Sequence, residues 1–538
     1  MQDTTTSIFR SVKHFLSGTL LSRITGLLRD VTMAAAFGTQ GPVAALLMAF
    51  RFSHLLRRIF GEGALQSAFA PHFEELRKDN PLRAAHFFND LLMGITVLLS
   101  GIILLSMVGL GSLLVFGNLS DGNDEILLLT LLMMPGLLFI CLYGVNASLL
   151  QCEQQFFIPG VAPVLFNGIW TLGVLCLWKV SDREAMPLLA IMIVLACAAQ
   201  WLMTLPATLR AVRSLGLQTL FTRTWSLTAD LKALAPMLSL GILGIAAAQI
   251  NTALDAIFAR YADLSGPAYL WYAIRIQQLP LALFGVALSG ALLPPLARAV
   301  KGEDWQKFQT FLEYGIRKSA TLMIPITMVI LVAGDSAINL LYGRGDFSDA
   351  SIIHTTYCLW GYALGLLPMT LVLLVAPAFW AQGNYRIPTM ASLISVAINC
   401  GLNAWMVLGM GWGAASVALA TSVSAWVNLW ILHYFLRKQT HVCLYSEGWI
   451  SVSRTVGVSL IAGVILVGYQ FFEGSPSLLL GLWEGKLSSY SKEFLIQVMN
   501  CGMIGGVYYL SLIAMSYLCH ARDLFQLISF QLPKDQFS

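Results

Sequence analysis

Charge is what this sequence has least of. Only 11% of its 538 residues are Asp, Glu, Lys or Arg, where soluble domains carry about 25%. With 57% hydrophobic residues, that shortage excludes a soluble globular protein. Its nine cysteines (141, 152, 176, 197, 358, 400, 443, 501 and 519) sit mostly inside apolar runs, without a CxxC pair or a histidine cluster. They read as small core residues, not as a disulfide framework or a zinc site. Enzyme signatures are missing as well: there is no HExxH, P-loop or GxSxG, and no carboxylate pair beside a nucleophile. No catalysis is expected, and any transport must run on an ion gradient, the membrane potential or the substrate's own gradient. The net charge of +4 comes from basic residues dispersed among loops, which gives no reason to expect nucleic acid. The N-terminus, MQDTTTSIFRSVKHF, has no cleavable signal pattern, so insertion would rely on the first apolar run.

What is present is a succession of apolar runs long enough to cross a bilayer as helices. Fourteen are expected, at about 14–38, 42–70, 87–116, 125–150, 157–178, 186–210, 233–260, 266–297, 319–342, 351–381, 387–410, 412–436, 448–472 and 493–519. The fold class is therefore an all-α polytopic membrane protein. Of the 32 Lys and Arg, seven lie within spans and 25 test orientation. With the N-terminus inside, 19 fall on the cytoplasmic side and six outside (Lys179, Arg183, Arg260, Arg344, Lys486 and Lys492). That asymmetry puts both termini in the cytoplasm.

The first two spans break the apolar rule. They carry Arg23, Arg29, Asp30, Arg51, Arg57, Arg58 and Glu62. A charge at the bilayer centre costs roughly 2.5–3.5 kcal/mol on insertion scales. Seven facing lipid would cost about 20 kcal/mol, more than the ~5–15 kcal/mol net stability of a typical domain. They must face the protein interior or a wet cavity, although single arginines at helix ends also snorkel to headgroups. Five arginines against two acids leave that cavity positive, and the arginine fork suits phosphate. Arg23 and Asp30 are seven apart and share a helix face, so they are expected to pair, leaving Arg29 freer for a ligand. Arg58 and Glu62, four apart, pair likewise and leave Arg57 free.

A repeat explains a further arginine. Ala49-Phe50-Arg51 matches Ala273-Ile274-Arg275 at an offset of 224, as Phe60-Gly61 matches Phe284-Gly285 and Pro71 matches Pro295. Gly41-Pro42 matches Gly266-Pro267 one residue out, and Ile158-Pro159 matches Ile387-Pro388 at 229. Six spans is an even number, so the repeat is parallel. Two six-helix lobes (1–213 and 232–440) are expected around a central cationic cavity containing Arg275. An interfacial cytoplasmic linker (214–231) joins them, and 441–538 adds spans 13 and 14. In span 7, Asp255 is the one deep acid. Asn399, Asn403, Thr421 and Ser422 of spans 11 and 12 offer oxygens that either gather around a hard cation or hydrogen-bond helix to helix. Asp335 and Arg454, each alone in its span, carry no assignment.

Several of these stretches together resemble the MurJ (MviN) family. They are SRITGLLRDVTMAAAFG, LLRRIFGEGALQSAF, PGVAPVLFN, VAPAFWAQGNYRIPT and WYAIRI followed by FGVALSGALLPPLAR. Members are lipid II flippases of the multidrug/oligosaccharidyl-lipid/polysaccharide exporter superfamily. The resemblance implies fourteen helices moving the undecaprenyl-diphosphate-linked disaccharide-peptide from the inner to the outer leaflet of the bacterial cytoplasmic membrane by alternating access. The family's cavity arginines fall on Arg23, Arg29, Arg57 and Arg275, with Asp30 and Glu62 beside them. Spans 13 and 14 would form a groove for the lipid tail. Some members hold sodium between spans 7, 11 and 12, which implies Asp255, Asn399, Asn403 and Thr421 here; coupling to protons or to the membrane potential is the alternative. The expected partners are lipid II and membrane lipids, with a monomeric chain.

The sequence departs from the family pattern where Ala44 replaces an acid, Ser53-His54 replaces Pro-Asn, Ile274 replaces an acid and Asn403 replaces an acid. These changes make the cavity more positive and leave His54 as a substitute titrating group. Two competitors remain. An exporter of another lipid-linked oligosaccharide or of a drug is the nearer one, although a positive cavity disfavours drug cations. A membrane enzyme acting on a prenyl diphosphate would need a carboxylate, histidine or metal cluster that the sequence lacks.

Overall fold

The computed structural model describes residues 5–55, 57, 64–117, 122–220, 228–440, 446–474, 477–484 and 489–529, and every element among them is helical. Two compact units divide the chain, Met1–Ala253 and Leu254–Ser538. Unit 1 holds α1 (Thr5–Phe37), α2 (Gly41–Ser53), α3 (Ala64–Asp79), α4 (Pro81–Phe116), α5 (Asn123–Cys152), α6 (Phe157–Leu177) and α7 (Asp182–Ser214). The division falls within α8 (Ala229–Ala262). Unit 2 continues with α9 (Gly266–Pro280), a π-helical turn over Leu281–Gly285, α10 (Val286–Lys301), α11 (Trp305–Tyr342), α12 (Asp349–Ala363) and α13 (Leu366–Ala381). It ends with α14 (Arg386–Asn403), α15 (Ala415–Thr440), α16 (Ser446–Glu473), α17 (Leu478–Glu484), α18 (Phe494–Leu518) and α19 (Arg522–Ile528).

Eleven helical segments among the described residues are long and apolar enough to cross a membrane, and they coincide with spans 3–6 and 8–14. Spans 1 and 7 fall on α1 and α8. Span 2 is not the single helix expected over 42–70. It stops at Ser53, where the His54 N–H donates to the Phe50 carbonyl and the Leu55 N–H turns back to Phe52; Arg57 is helical again, and α3 follows over Ala64–Asp79. No Pro or Gly stands between 43 and 60 to announce the break. Span 8 is also irregular at the repeat-equivalent depth, where Leu281–Gly285 is π-helical.

The repeat is visible in the packing of each unit. In unit 1, α2 packs on α5, α4 on α5, α5 on α7 and α6 on α7; in unit 2, α9 packs on α12, α11 on α12, α12 on α15 and α14 on α15. The turns agree as well. Gln154 (φ 57°) and Gly383 (φ 73°), 229 apart, both take the left-handed conformation after a helix. The next amide in each reaches back five residues, Gln155 to the Leu150 carbonyl and Asn384 to that of Phe379.

Spans 13 and 14 are fastened to α11 at both of its ends, which assigns the two isolated charges. Buried Asp335 accepts from the Leu478 backbone N–H (2.6 Å) and the Tyr490 hydroxyl (3.0 Å), holding the start of α17. Gln497 of α18 donates to Asn339 Oδ1 (3.1 Å) and the Gly343 carbonyl (3.0 Å) beside it. At the other end Asp523 of α19 takes Lys318 Nζ (3.2 Å), Arg317 Nε (3.0 Å) and the Ser451 hydroxyl. Arg454 donates to the His520 carbonyl (2.9 Å). Burial pushes the Asp523 carboxyl up, but the Ser451 hydroxyl and the charges of Lys318 and Arg317 outweigh it and hold the carboxyl below its ordinary value.

Candidate functional site

The first cluster is built where α1 meets α6. Arg29 and Asp30 are 6% and 4% exposed. The guanidinium wraps back onto its sequence neighbour, Nε and Nη2 donating to Asp30 Oδ1 at 3.0 and 2.7 Å. Its remaining arm, Nη1, donates to Asn167 Oδ1 on α6 at 3.1 Å. The planar group stacks on Trp170, one turn along, with Cζ 4.5 Å from the ring centroid. Asn167 is itself fixed, since its Nδ2 donates to the Ser22 carbonyl and to Thr25 Oγ1, both at 3.1 Å. The expected Arg23–Asp30 pairing is therefore not formed. Asp30 belongs to Arg29, whose side chain is long enough to reach an adjacent position, and Arg23 is exposed. Neither Asn167 nor Trp170 was anticipated; an Asn within an apolar span was the available signal.

The other arginines are less enclosed. Arg51, in the last turn of α2, and Arg57, just past the turn at His54–Leu55, are both half-buried, the Arg57 N–H donating to the His54 carbonyl at 3.1 Å. Arg58 and Glu62, with their expected pairing, lie outside the described residues. His54 is buried: Nδ1 donates to the Phe50 carbonyl (3.1 Å), Nε2 lies 3.6 Å from Cys197 Sγ, and the ring stacks on Phe50. Arg275, half-buried on α9, lays its guanidinium 4.5 Å above the Trp271 ring.

The second cluster joins α8, α14 and α15. Asp255 Oδ1 accepts from Asn399 Nδ2 (3.0 Å) and Asn403 Nδ2 (2.8 Å), and its Oδ2 accepts from Thr421 Oγ1 (3.2 Å). Asn403 Nδ2 also donates to Asn399 Oδ1 at 3.2 Å. Both asparagines are fully buried. Ser422 does not take part; its hydroxyl turns to the Gly361 carbonyl at 2.6 Å.

With this geometry in hand, comparison with known proteins is decisive. The family described as "Lipid II flippase MurJ" matches residues 33–482. The chain belongs to the MurJ family. A probable lipid II flippase MurJ of Chlamydia muridarum (strain MoPn / Nigg) is 32% identical over 535 residues, covering 98% of this chain and 97% of that protein. One of Vibrio cholerae serotype O1 is 27% identical over 84% of this chain and 86% of its own length. Among solved structures, a lipid II flippase MurJ in an inward closed conformation matches with a TM-score of 0.73 at 23% identity, covering 95% and 99% of the two chains. A multidrug resistance MATE family transporter of the MOP superfamily follows at 0.65 and 14%, covering 78% and 94%. These likenesses establish the MurJ/MATE-like helical fold, and MurJ membership places the chain among multi-pass bacterial membrane proteins.

Proposed function

We propose that this protein is a lipid II flippase, carrying the lipid-linked peptidoglycan precursor from the inner to the outer leaflet by alternating access, as a monomer with both termini in the cytoplasm. The observation that supports this best is the set of arginines kept inside membrane-spanning segments of a MurJ-family chain. A diphosphate is the part of the substrate that hydrocarbon rejects most strongly, and arginine forks replace its lost water with paired charge-assisted bonds. The substrate site comprises Arg23, Arg29, Asp30, Arg51, Arg57, Arg58, Glu62 and Arg275. Arg57 and Arg275, both half-buried and one on each half of the repeat, take the diphosphate. Spans 13 and 14 receive the lipid tail. Like-charged arginines repel when closed together, so the anionic headgroup favours the occluded form.

Sodium fits the second cluster. Asp255 supplies a carboxylate, Thr421 a hydroxyl, and Asn403 Oδ1 is buried without a hydrogen-bond partner. Rotating an amide exchanges its N–H donors for its oxygen, so the asparagines that hold the carboxylate can also face a hard cation. Bound there, sodium would neutralise Asp255 and tie α8 to α14 and α15. Purified protein in liposomes loaded with fluorescent lipid II tests the function. Movement of label to the opposite leaflet that stops with Arg275→Ala supports it; label that stays in its original leaflet with the parent protein refutes it.

A further inference from the structure

Asp30 and Asp255 occupy the same place in the repeat. They are 225 apart, the offset that also relates Gly41-Pro42 to Gly266-Pro267. Each is buried, and each is joined to an asparagine from the fifth helix of its own six-helix set: Asp30 through the Arg29 guanidinium to Asn167 on α6, and Asp255 directly to Asn399 and Asn403 on α14. The residue before the carboxylate differs: Arg29 in unit 1, Leu254 at the equivalent position in unit 2. In unit 1 the guanidinium bridges two oxygens, Asp30 Oδ1 and Asn167 Oδ1, and is held flat by Trp170. A carboxylate oxygen and an amide oxygen are what a hard cation would also bridge.

We infer that Arg29 is a built-in counter-cation, a positioning residue that permanently locks span 1 onto span 5 through Asp30 and Asn167, while the repeat-equivalent lock at Asp255 is made by an exchangeable cation. One half of the molecule thus carries its ion covalently, and the other responds to the ion outside. Arg29 acts on the substrate through the placement of span 1 and of the arginines around it. Asn167 and Trp170 are positioning residues for its fork. The comparison with Asp255 rests on the sodium reading above; the lock in unit 1 stands on its own contacts.

The test uses the full chain, purified, with melting temperature and lipid II translocation measured together. Arg29→Ala removes the guanidinium that Asp30 Oδ1 and Asn167 Oδ1 share, so the melting temperature should fall and translocation should stop. Both should return with low-millimolar guanidinium and not with potassium at equal ionic strength. If Arg29→Ala fails to accumulate, Arg29→Ala/Asp30→Asn, which removes both members of the Arg29–Asp30 ion pair, should restore the folded protein. Two results overturn the lock: a parental melting temperature for Arg29→Ala with only translocation lost, or loss of stability that neither guanidinium nor Asp30→Asn repairs. For the second half of the inference, Leu254→Arg should raise the melting temperature in sodium-free buffer and abolish its rise with added sodium. A Leu254→Arg chain that keeps the parent's sodium response overturns the equivalence. A parent with no sodium response refutes the ion reading at Asp255 and the comparison built on it, while the guanidinium rescue still decides the lock.

Discussion

Asp335→Ala should release the segment between spans 13 and 14 from α11 without unfolding the rest. The carboxylate is the acceptor for two buried donors from that segment, the Leu478 N–H at 2.6 Å and the Tyr490 hydroxyl at 3.0 Å. Leu478 and Tyr490 are 4% and 5% exposed, so water does not reach either freely. Leaving a buried donor unsatisfied costs about 1–3 kcal/mol, hence roughly 2–6 kcal/mol for the two. Removing the carboxylate also removes the penalty of burying it, which offsets part of that cost and leaves about 2–4 kcal/mol. At about 1.4 kcal/mol per factor of ten, the open population of the segment should rise about 30- to 700-fold. Hydrogen exchange followed by mass spectrometry reads this directly as faster exchange over 477–491, with α12 and α15 unchanged. Asp335→Asn should fall between, because both donors reach one oxygen that an amide oxygen can replace, while the NH2 then faces the Ser336 N–H that the other carboxylate oxygen accepts. Parental exchange rates over 477–491 in Asp335→Ala would show that this carboxylate is not what holds the segment.

Acid should loosen the opposite end. The Asp523 carboxyl is held below its ordinary value of 3.8, so its contribution is present above that pH and is lost as pH falls through the folded-state value. Melting curves of the parent and Asp523→Asn should therefore differ near neutrality and converge in acid; a constant gap would be contrary. Gly41→Ala and Gly266→Ala, equivalent in the repeat, should behave oppositely. A Cβ at 41 meets nothing within 4 Å, whereas one at 266 would overlap the Ala259 carbonyl oxygen. Overpacking of this kind costs about 1–3 kcal/mol, so only Gly266→Ala should lower the melting temperature. Arg57→Ala and Arg275→Ala should each abolish complementation while inserting normally, and Lys at either place should rescue only in part, because a point charge loses bidentate contacts. Full growth on either Ala variant would remove that arginine from the site.

Periodicity carried the architecture in this sequence because lipid leaves the backbone no alternative to helix. The matched Arg51 and Arg275 exposed the repeat, and matched turns such as Gln154 and Gly383 repeat it in three dimensions. Which charges pair was less legible. Helical spacing favoured Arg23 for Asp30, but a flexible arginine stem overrides the geometry of Cβ positions and lets Arg29 reach its neighbour. The break in span 2 at His54 had no Pro or Gly to mark it. Asp335 and Arg454 could not be assigned locally, since their partners lie 143, 155 and 66 residues away. The carboxylate–amide cluster at Asp255 was legible by residue type, and the direction of its bonds, amide N–H to carboxylate, was not.

The central claim, that this chain moves lipid II across the membrane, is tested most directly in cells that depend on it for growth. On depletion of the protein, lipid II should accumulate in the inner leaflet, inaccessible to a reagent added outside, while its synthesis continues; restoring the parent chain, and not Arg275→Ala, should return it to the outer face. Lipid II that reaches the outer leaflet at the undiminished rate after depletion would contradict the account.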